Sequence, residues 1–136
     1  MKVFAAIFAT TFFFALPALS AENKVDSDFC IFFEENSNEL SPEAIEKLDR
    51  IYRILAFNLD VKLTLNGYSD SVGPPSYNQE ASEIRALSVK SYLSGKGIKP
   101  SRIMAFGHGA QKFIADNKSA EGRRLNRRVE IEFIIP

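Results

Sequence analysis

Asn66-Gly67-Tyr68-Ser69-Asp70, then a Gly73-Pro74-Pro75 turn, then Asn78-Gln79-Glu80-Ala81-Ser82-Glu83-Ile84-Arg85-Ala86 carries the topology of this chain. Upstream of it, Val61, Leu63 and Leu65 alternate with Lys62, Thr64 and Asn66, a period of two that predicts a strand running toward the acid. The glycine and two prolines make a rigid turn. Ala86, Val89 and Leu93 then share one face of a predicted helix from about Ser76 to Ser94, which Gly95 and Gly97 stop. The strand leaves Asp70 at the rim of a sheet, where ligands sit in α/β folds. Arg85 follows 15 positions later (85 − 70 = 15), and its side chain leans back toward the helix N-terminus and so toward Asp70. A guanidinium grips a carboxylate through parallel bonds, and a carboxylate accepts from an ammonium. The pair therefore suits a ligand carrying both charges, such as an amino acid; it also reads as a structural ion pair or as two solvated charges.

The flanking elements extend the pattern in both directions. Phe29 to Phe33 reads as a short buried strand and Glu34 to Leu40 as a polar loop. Ser41-Pro42-Glu43 starts a helix, with a hydroxyl cap, a proline where no N–H is needed, and an acid near the positive end of the dipole. Ile45, Leu48, Tyr52 and Leu55, with Ala44 and Ile51 beside them, form its apolar stripe. Ile103 to Phe106 predicts a third strand. Gly107 to Ala120 reads as irregular, with a helical turn beginning near Ser119. Arg127 to Ile135 alternates Val129, Ile131 and Phe133 against Arg128, Glu130 and Glu132, a final strand with one face toward water. The order strand, helix, strand, helix, strand, late strand predicts an α/β (α+β) sandwich, a mixed sheet with helices packed on one face.

Three segments divide the 136 residues. Residues 1–21 read as a signal peptide: Lys2 is the only charge, Val3 through Leu16 is almost wholly apolar, and Pro17-Ala18-Leu19-Ser20-Ala21 closes the run with small residues. Cleavage after Ser20 and after Ala21 are both acceptable. An uncleaved anchor is the alternative, since the run approaches the ~17 to 25 residues that span a bilayer. Residues 22–28 are a polar lead-in, and residues 29–136 form one domain. Removing Lys2 with the leader changes 17 basic against 17 acidic residues to 16 against 17. So balanced a domain is not built to hold nucleic acid by its bulk field. Cys30, the one cysteine, excludes an internal disulfide. It reads as a small apolar filler in a strand, with pairing to another chain as the alternative. It stands too far beyond the apolar run to be a lipidation site.

Other constellations are weaker. His108, the one histidine, lies in Gly107-His108-Gly109-Ala110 and reads as a turn, because no Cys, Ser or second His stands at a persuasive spacing. Arg123, Arg124, Arg127 and Arg128 form a basic cluster flanked by Glu121, Glu130 and Glu132, which favours ion pairing and packing of the last strand. One Cys and one His do not supply a metal site, and no cofactor motif is present.

Four stretches in order resemble the OmpA-like peptidoglycan-binding domain, the family of outer membrane protein A, peptidoglycan-associated lipoprotein and flagellar stator proteins. They are Phe32-Phe33-Glu34-Glu35-Asn36-Ser37-Asn38-Glu39-Leu40, Gly67-Tyr68-Ser69-Asp70-Ser71-Val72-Gly73, the helix from Asn78 through Ala86 with Val89 and Leu93, and Glu121-Gly122-Arg123-Arg124-Leu125-Asn126-Arg127-Arg128-Val129-Glu130-Ile131. The resemblance implies a non-catalytic periplasmic domain, associated with the cell wall or outer membrane. It would bind the peptidoglycan stem peptide through the diaminopimelate zwitterion. Asp70 would hold the ammonium, Arg85 the carboxylate, Asn36 would offer its backbone N–H, and Ser69 and Asn78 would line the pocket. Envelope proteins are candidate partners; nucleic acid is not. The sequence leaves the oligomeric state open. Ala81 stands where the family usually has leucine, removing an apolar wall, and Glu35 adds a negative charge near the rim. Ser69 replaces threonine, and Pro74-Pro75 stiffens the loop. The competing reading is a periplasmic cell-wall hydrolase using Asp70 and His108.

Overall fold

The computed structural model describes residues 26–136. The expected signal peptide, residues 1–21, and most of the polar lead-in lie outside them. A 3-10 turn, Ser27–Phe29, leads into β1 (Cys30–Phe32), followed by α1 (Pro42–Phe57), β2 (Lys62–Tyr68), α2 (Pro75–Gly95), a second 3-10 turn (Pro100–Arg102), β3 (Ile103–Gly107), α3 (Ala120–Asn126) and β4 (Arg128–Ile134). The sheet order is β1-β4-β2-β3. The late strand β4 runs antiparallel to both β1 and β2, whereas β2 and β3, joined through α2, are parallel. The mixed sheet expected from the element order is thus the one observed.

The helices begin where local chemistry puts them. Ser41 caps α1, its Oγ accepting from the Ala44 N–H at 3.1 Å, with Pro42 in the first turn. Ser119 caps α3 in the same way, accepting from the Gly122 N–H at 3.0 Å. Gly73 takes a left-handed φ of 91° before the Pro74-Pro75 start of α2. Ala44, Leu48, Ile51 and Leu55 of α1 and Ala86, Val89 and Leu93 of α2 pack onto one sheet face against Ile31, Leu63, Leu65, Ile103, Val129 and Ile131. Among the described residues no helix is long and apolar enough to cross a membrane.

Element ends differ from the sequence reading in instructive ways. Phe29 belongs to the 3-10 turn rather than to β1 and packs edge-on against Phe133, ring centroids 5.5 Å apart. The edge strand is therefore only three residues long, and Lys47 reaches it from α1, its Nζ donating to Ser27 O (3.0 Å) and Cys30 O (3.1 Å). A short edge with a cation bound to its carbonyl is a poor template for pairing with another chain. β2 runs on to Tyr68 and β3 to Gly107, because these positions pair as Asn66↔Phe106 and Gly67↔Gly107. Gly107 is thus a strand residue and not the start of an irregular segment.

Those two paired glycines are where α2 meets the sheet. A Cβ on Gly67 would lie 2.1 Å from Ser82 O, and one on Gly107 would lie 2.6 Å from Glu83 N. The helix backbone therefore rests directly on two strands, and only glycine at both positions allows it. The contact is held by the Gln79 Nε2 donating to Gly107 O (2.7 Å) and the Gly109 N–H donating to Ser82 Oγ (2.8 Å).

The open sheet face carries a stack. Arg128, 1 % exposed, lies over the Tyr68 ring (4.3 Å) and pairs with Glu130 (2.9 Å), and the His108 ring stacks on Tyr68 with centroids 5.0 Å apart. Cys30 is fully buried, as a strand filler should be. Burial, and secondarily the Glu130 charge, pushes its thiol up to about 12.

Two outcomes follow. Gly67→Ala or Gly107→Ala forces α2 off the sheet and lowers stability by about 1–3 kcal/mol or more, read as a fall in melting temperature. Native Cys30 resists iodoacetamide at pH 8. Because its folded value is raised, the stability contributed by its neutral form is present below the ordinary value of 9.0 and is lost as pH rises toward 12; a denaturation series should show that loss, and Cys30→Ala should flatten it.

Candidate functional site

At the C-terminal end of β2 the chain turns out of the sheet through Ser69 and Asp70, beside the first turns of α2 and the loop after β1. Between these three segments lies a cavity of about 320 Å³ lined by Glu35, Asn36, Ser69, Asp70, Val72, Gly73, Pro74, Tyr77, Asn78, Ala81, Arg85 and Arg127. All five residues expected to form the site, Asp70, Arg85, Asn36, Ser69 and Asn78, face this one space. Four of them are buried: Ser69, Asp70, Asn78 and Arg85.

Asp70 does not pair with Arg85. Its Oδ2 accepts from Arg127 Nη1 at 2.9 Å, and its Oδ1 accepts from the Val72 N–H at 3.0 Å. The second contact curls the loop back on itself as Asx turns do. Arg127 is tied in turn to β1: its Nε donates to Phe33 O at 3.0 Å, and its own carbonyl accepts from the Phe33 N–H. Both members of the ion pair have side chains under a tenth exposed. The structural ion pair foreseen as one reading of Asp70 exists, with a different arginine.

Arg85 is held by carbonyls. Its Nε donates to Ser37 O (3.0 Å), its Nη2 to Glu34 O (3.3 Å), and its guanidinium lies 5.7 Å from the centroid of the Phe33 ring. These two bonds use two of five guanidinium N–H groups, leaving three (5 − 2 = 3) and leaving Nη1 without a hydrogen bond among the described residues. Burial lowers its pKa, helped by the nearby Arg127 charge and opposed by Asp70. Among the described residues the group forms no direct ion pair; Asp70 acts on it only from a distance. Buried groups around the cavity sum to two arginines against one aspartate, while Glu35 adds its charge at the exposed rim. Such a field accepts an incoming carboxylate beside Arg85 and Arg127, and the unused lone pairs of Asp70 accept an ammonium.

The remaining groups give the cavity shape. Asn36 adopts a left-handed φ of 52°, and its backbone N–H makes no hydrogen bond among the described residues. Its Oδ1 accepts from the Tyr77 hydroxyl at 2.5 Å, which ties the loop after β1 to α2. Ser69 turns its hydroxyl to Asp70 O (2.9 Å), and Asn78 Nδ2 reaches Gly73 O (3.4 Å). Behind the loop, Asn126 organises the β3–α3 connection. Its Oδ1 accepts from the Ile114 and Ala115 N–H groups, and its Nδ2 donates to Asn117 Oδ1, which accepts from the Ser71 N–H.

His108 is not in the cavity. Its Nε2 lies 2.8 Å from Asn66 Oδ1, its ring is committed to Tyr68, and it shares no hydrogen bond with Asp70. Among the described residues no cluster of His, Cys, Asp or Glu is arranged to hold a metal.

Sequence reasoning missed Arg127 and Tyr77. Arg127 was grouped with a cluster assigned to packing, yet adjacent residues on a strand point to opposite faces. As the first residue of the expected strand 127–135, Arg127 would face away from Arg128, and that was the available signal; in the structure it caps α3 just ahead of β4. Tyr77 shares a helical face with Ala81 and Arg85 at steps of four. The rest of the basic cluster behaves as expected, Arg124 pairing at the surface with Glu34 and Glu121 and Arg123 donating to Asn117 O.

Comparison with known proteins adds an independent line. The sequence pattern of the OmpA family matches residues 32–127. Outer membrane protein A of Bordetella avium is 45% identical over 104 residues, covering 76% of this chain and 53% of that protein. The peptidoglycan-binding protein ArfA of Mycobacterium tuberculosis is 38% identical over 101 residues, 74% of this chain and 31% of that one. The chain thus spans about half or less of the length of these relatives. The crystal structure of the peptidoglycan-associated lipoprotein from Burkholderia pseudomallei superposes with a TM-score of 0.74 at 21% identity, over 77% of this chain and 89% of that one; at that identity the likeness shows the fold.

Breaking the buried pair from either side is costly. Asp70→Ala or Arg127→Ala strands a charge and lowers stability by about 3–5 kcal/mol, measured by urea unfolding. The double substitution should cost less than the two single losses added together.

Proposed function

The chain belongs to the OmpA family, and from that membership we propose that it binds peptidoglycan without turnover through the far-end zwitterion of diaminopimelate in the stem peptide. The observation that carries the reading is the asymmetry of the two charges at the cavity. Asp70 is neutralised and oriented by Arg127, while Arg85 keeps unused donors toward the same space. The ligand carboxylate would meet Arg85 and the free Asn36 N–H; the ligand ammonium would meet Asp70, with Ser69 and Asn78 shaping the floor. One such site binds weakly, but a polymer presents many stems, so attachment persists through repeated engagement. The reading places the mature domain, residues 29–136, in the periplasm at the cell wall or outer membrane, reached through removal of residues 1–21, with envelope proteins as candidate partners.

A cell-wall hydrolase using Asp70 and His108 finds no support in the geometry. The two side chains serve separate networks on either side of the sheet end.

Arg85→Ala is the decisive variant, because Arg85 binds carbonyls and leaves no carboxylate stranded when removed. It should lose about 2–5 kcal/mol of binding to isolated sacculi. Wild-type protein should also bind walls cross-linked through lysine more weakly, since lysine lacks the terminal carboxylate. Retention of Arg85→Ala on diaminopimelate walls at the wild-type level, with the fold intact by circular dichroism, contradicts the proposal. Asp70→Asn is the milder partner test and is interpretable only alongside its melting temperature.

A further inference from the structure

Among the described residues the sheet has two edges, β1 and β3, and they are built differently. Natural sheets blunt an open edge with charges, prolines or bulges, because its unpaired backbone groups are a template for another strand. β1 is short and carries the Lys47 ammonium on its Cys30 carbonyl. β3, Ile103-Met104-Ala105-Phe106-Gly107, is longer and has neither a charge nor a proline. Met104 and Phe106, both nearly half exposed, stand side by side on its open face. We propose that β3 pairs antiparallel with β3 of a second copy of this chain, about a two-fold axis at Ala105, so that the two sheets become one.

The backbone supplies the first reason. The His108 N–H turns inward to Gly67 O at 2.9 Å, so the groups of Ile103, Ala105 and Gly107 point away from β2. Of these groups, the Ile103 N–H donates to Pro100 O, closing the 3-10 turn, and Gly107 O accepts from Gln79 Nε2 at 2.7 Å. The Gly107 N–H, the Ile103 carbonyl and both groups of Ala105 have no partner among the described residues. In an antiparallel pair centred on Ala105, the two alanines exchange bonds, and each Gly107 N–H donates to the Ile103 carbonyl of the other copy. The groups already engaged fall opposite each other, and every free donor meets a free acceptor. Met104 then faces Phe106 of the second copy in a non-hydrogen-bonded pair, the closer kind, where a thioether packs well on an aromatic ring.

Charge complementarity on the helix side is the second reason. α2 joins two parallel strands and so runs antiparallel to β3, with its Glu83 backbone directly over Gly107. Glu83, Leu87 and Lys90 follow at steps of four and three along one flank. Lys90 lies roughly 10 Å further along the helix, level with the start of β3. Glu83 and Lys90 form no ion pair among the described residues, and Leu87 is nearly half exposed. The two-fold axis turns this strip onto itself, bringing Glu83 to Lys90 of the second copy and Leu87 to Leu87. The cavity beside Asp70 stays open, because Arg85 leaves α2 on the opposite flank, toward Ser37. A dimer therefore presents two such cavities to one polymer.

Sedimentation velocity of the purified protein between about 5 µM and 500 µM should show a monomer–dimer equilibrium. At low salt, Glu83→Lys or Lys90→Glu alone should weaken the dimer about tenfold or more. The two together in one chain should restore it, since the reversed strip is again self-complementary. Neither side chain has a partner to lose, so the fold is unaffected. Register is read by mild oxidation, in which a mixture of Met104→Cys and Phe106→Cys proteins should form a mixed disulfide faster than either forms its own; Cys30, fully buried, does not compete. A monomer across the whole range, a double reversal as weak as the single ones, or no preference for the mixed disulfide overturns the proposal.

Discussion

Helix α2 rests on backbone rather than on side chains where it crosses the ends of β2 and β3, and the position of every group at the cavity follows from that approach. Gly67 and Gly107, paired across the two strands, admit the Ser82–Glu83 segment to a distance at which a single added carbon would collide with it. Packing this tight leaves the helix no freedom to slide. Asn78, one turn before the contact, Ala81, adjoining it, and Arg85, three residues past Ser82, are thereby fixed against the Asp70 loop. The cost is borne by two glycines whose chain entropy must be lost on folding, and two side chain–backbone hydrogen bonds at the same place offset part of it.

The site is then a problem in electrostatics. An aspartate and two arginines share a buried region, and the protein satisfies only one of the possible pairs. Arg127, locked to Phe33 of the neighbouring segment, takes Asp70 and holds its carboxylate in one orientation. Arg85, limited to carbonyl oxygens, keeps a positive charge that burial disfavours and that no acid among the described residues pairs with directly, although the Asp70 charge lies near enough to favour it. A buried guanidinium with unused donors suits an anion, and a pre-oriented carboxylate with lone pairs to spare suits a cation. The same economy explains the loop behind the site, where Asn126 and Asn117 saturate backbone donors that would otherwise be free to distort it.

The secondary structure was largely legible, since it depends on short-range rules: caps at Ser41 and Ser119, alternation in β2 and β4, glycines after α2. The mixed sheet followed from element order, and the convergence of Asp70 and Arg85 followed from their spacing and from the family motifs. Boundaries at β1 and β3 were displaced by tertiary events. Phe29 closes a 3-10 turn capped by Asp26 and packs on Phe133, and Gly107 is kept in its strand by its pairing with Gly67. The first has a local signal in the Asp26 cap; the second has none, because Gly67 lies forty positions away.

What the amino-acid order alone determined is the set of elements, their succession, and which two charges stand at the ends of neighbouring ones, because periodicity, capping and side-chain direction are properties of adjacent residues. Only the tertiary structure decided which arginine neutralises Asp70. Arg127 and Asp70 are 57 positions apart and meet because β4 inserts between β1 and β2, a pairing set by the whole sheet. That insertion gives Asp70 to Arg127 and leaves Arg85 with carbonyl partners at the wall of the same cavity.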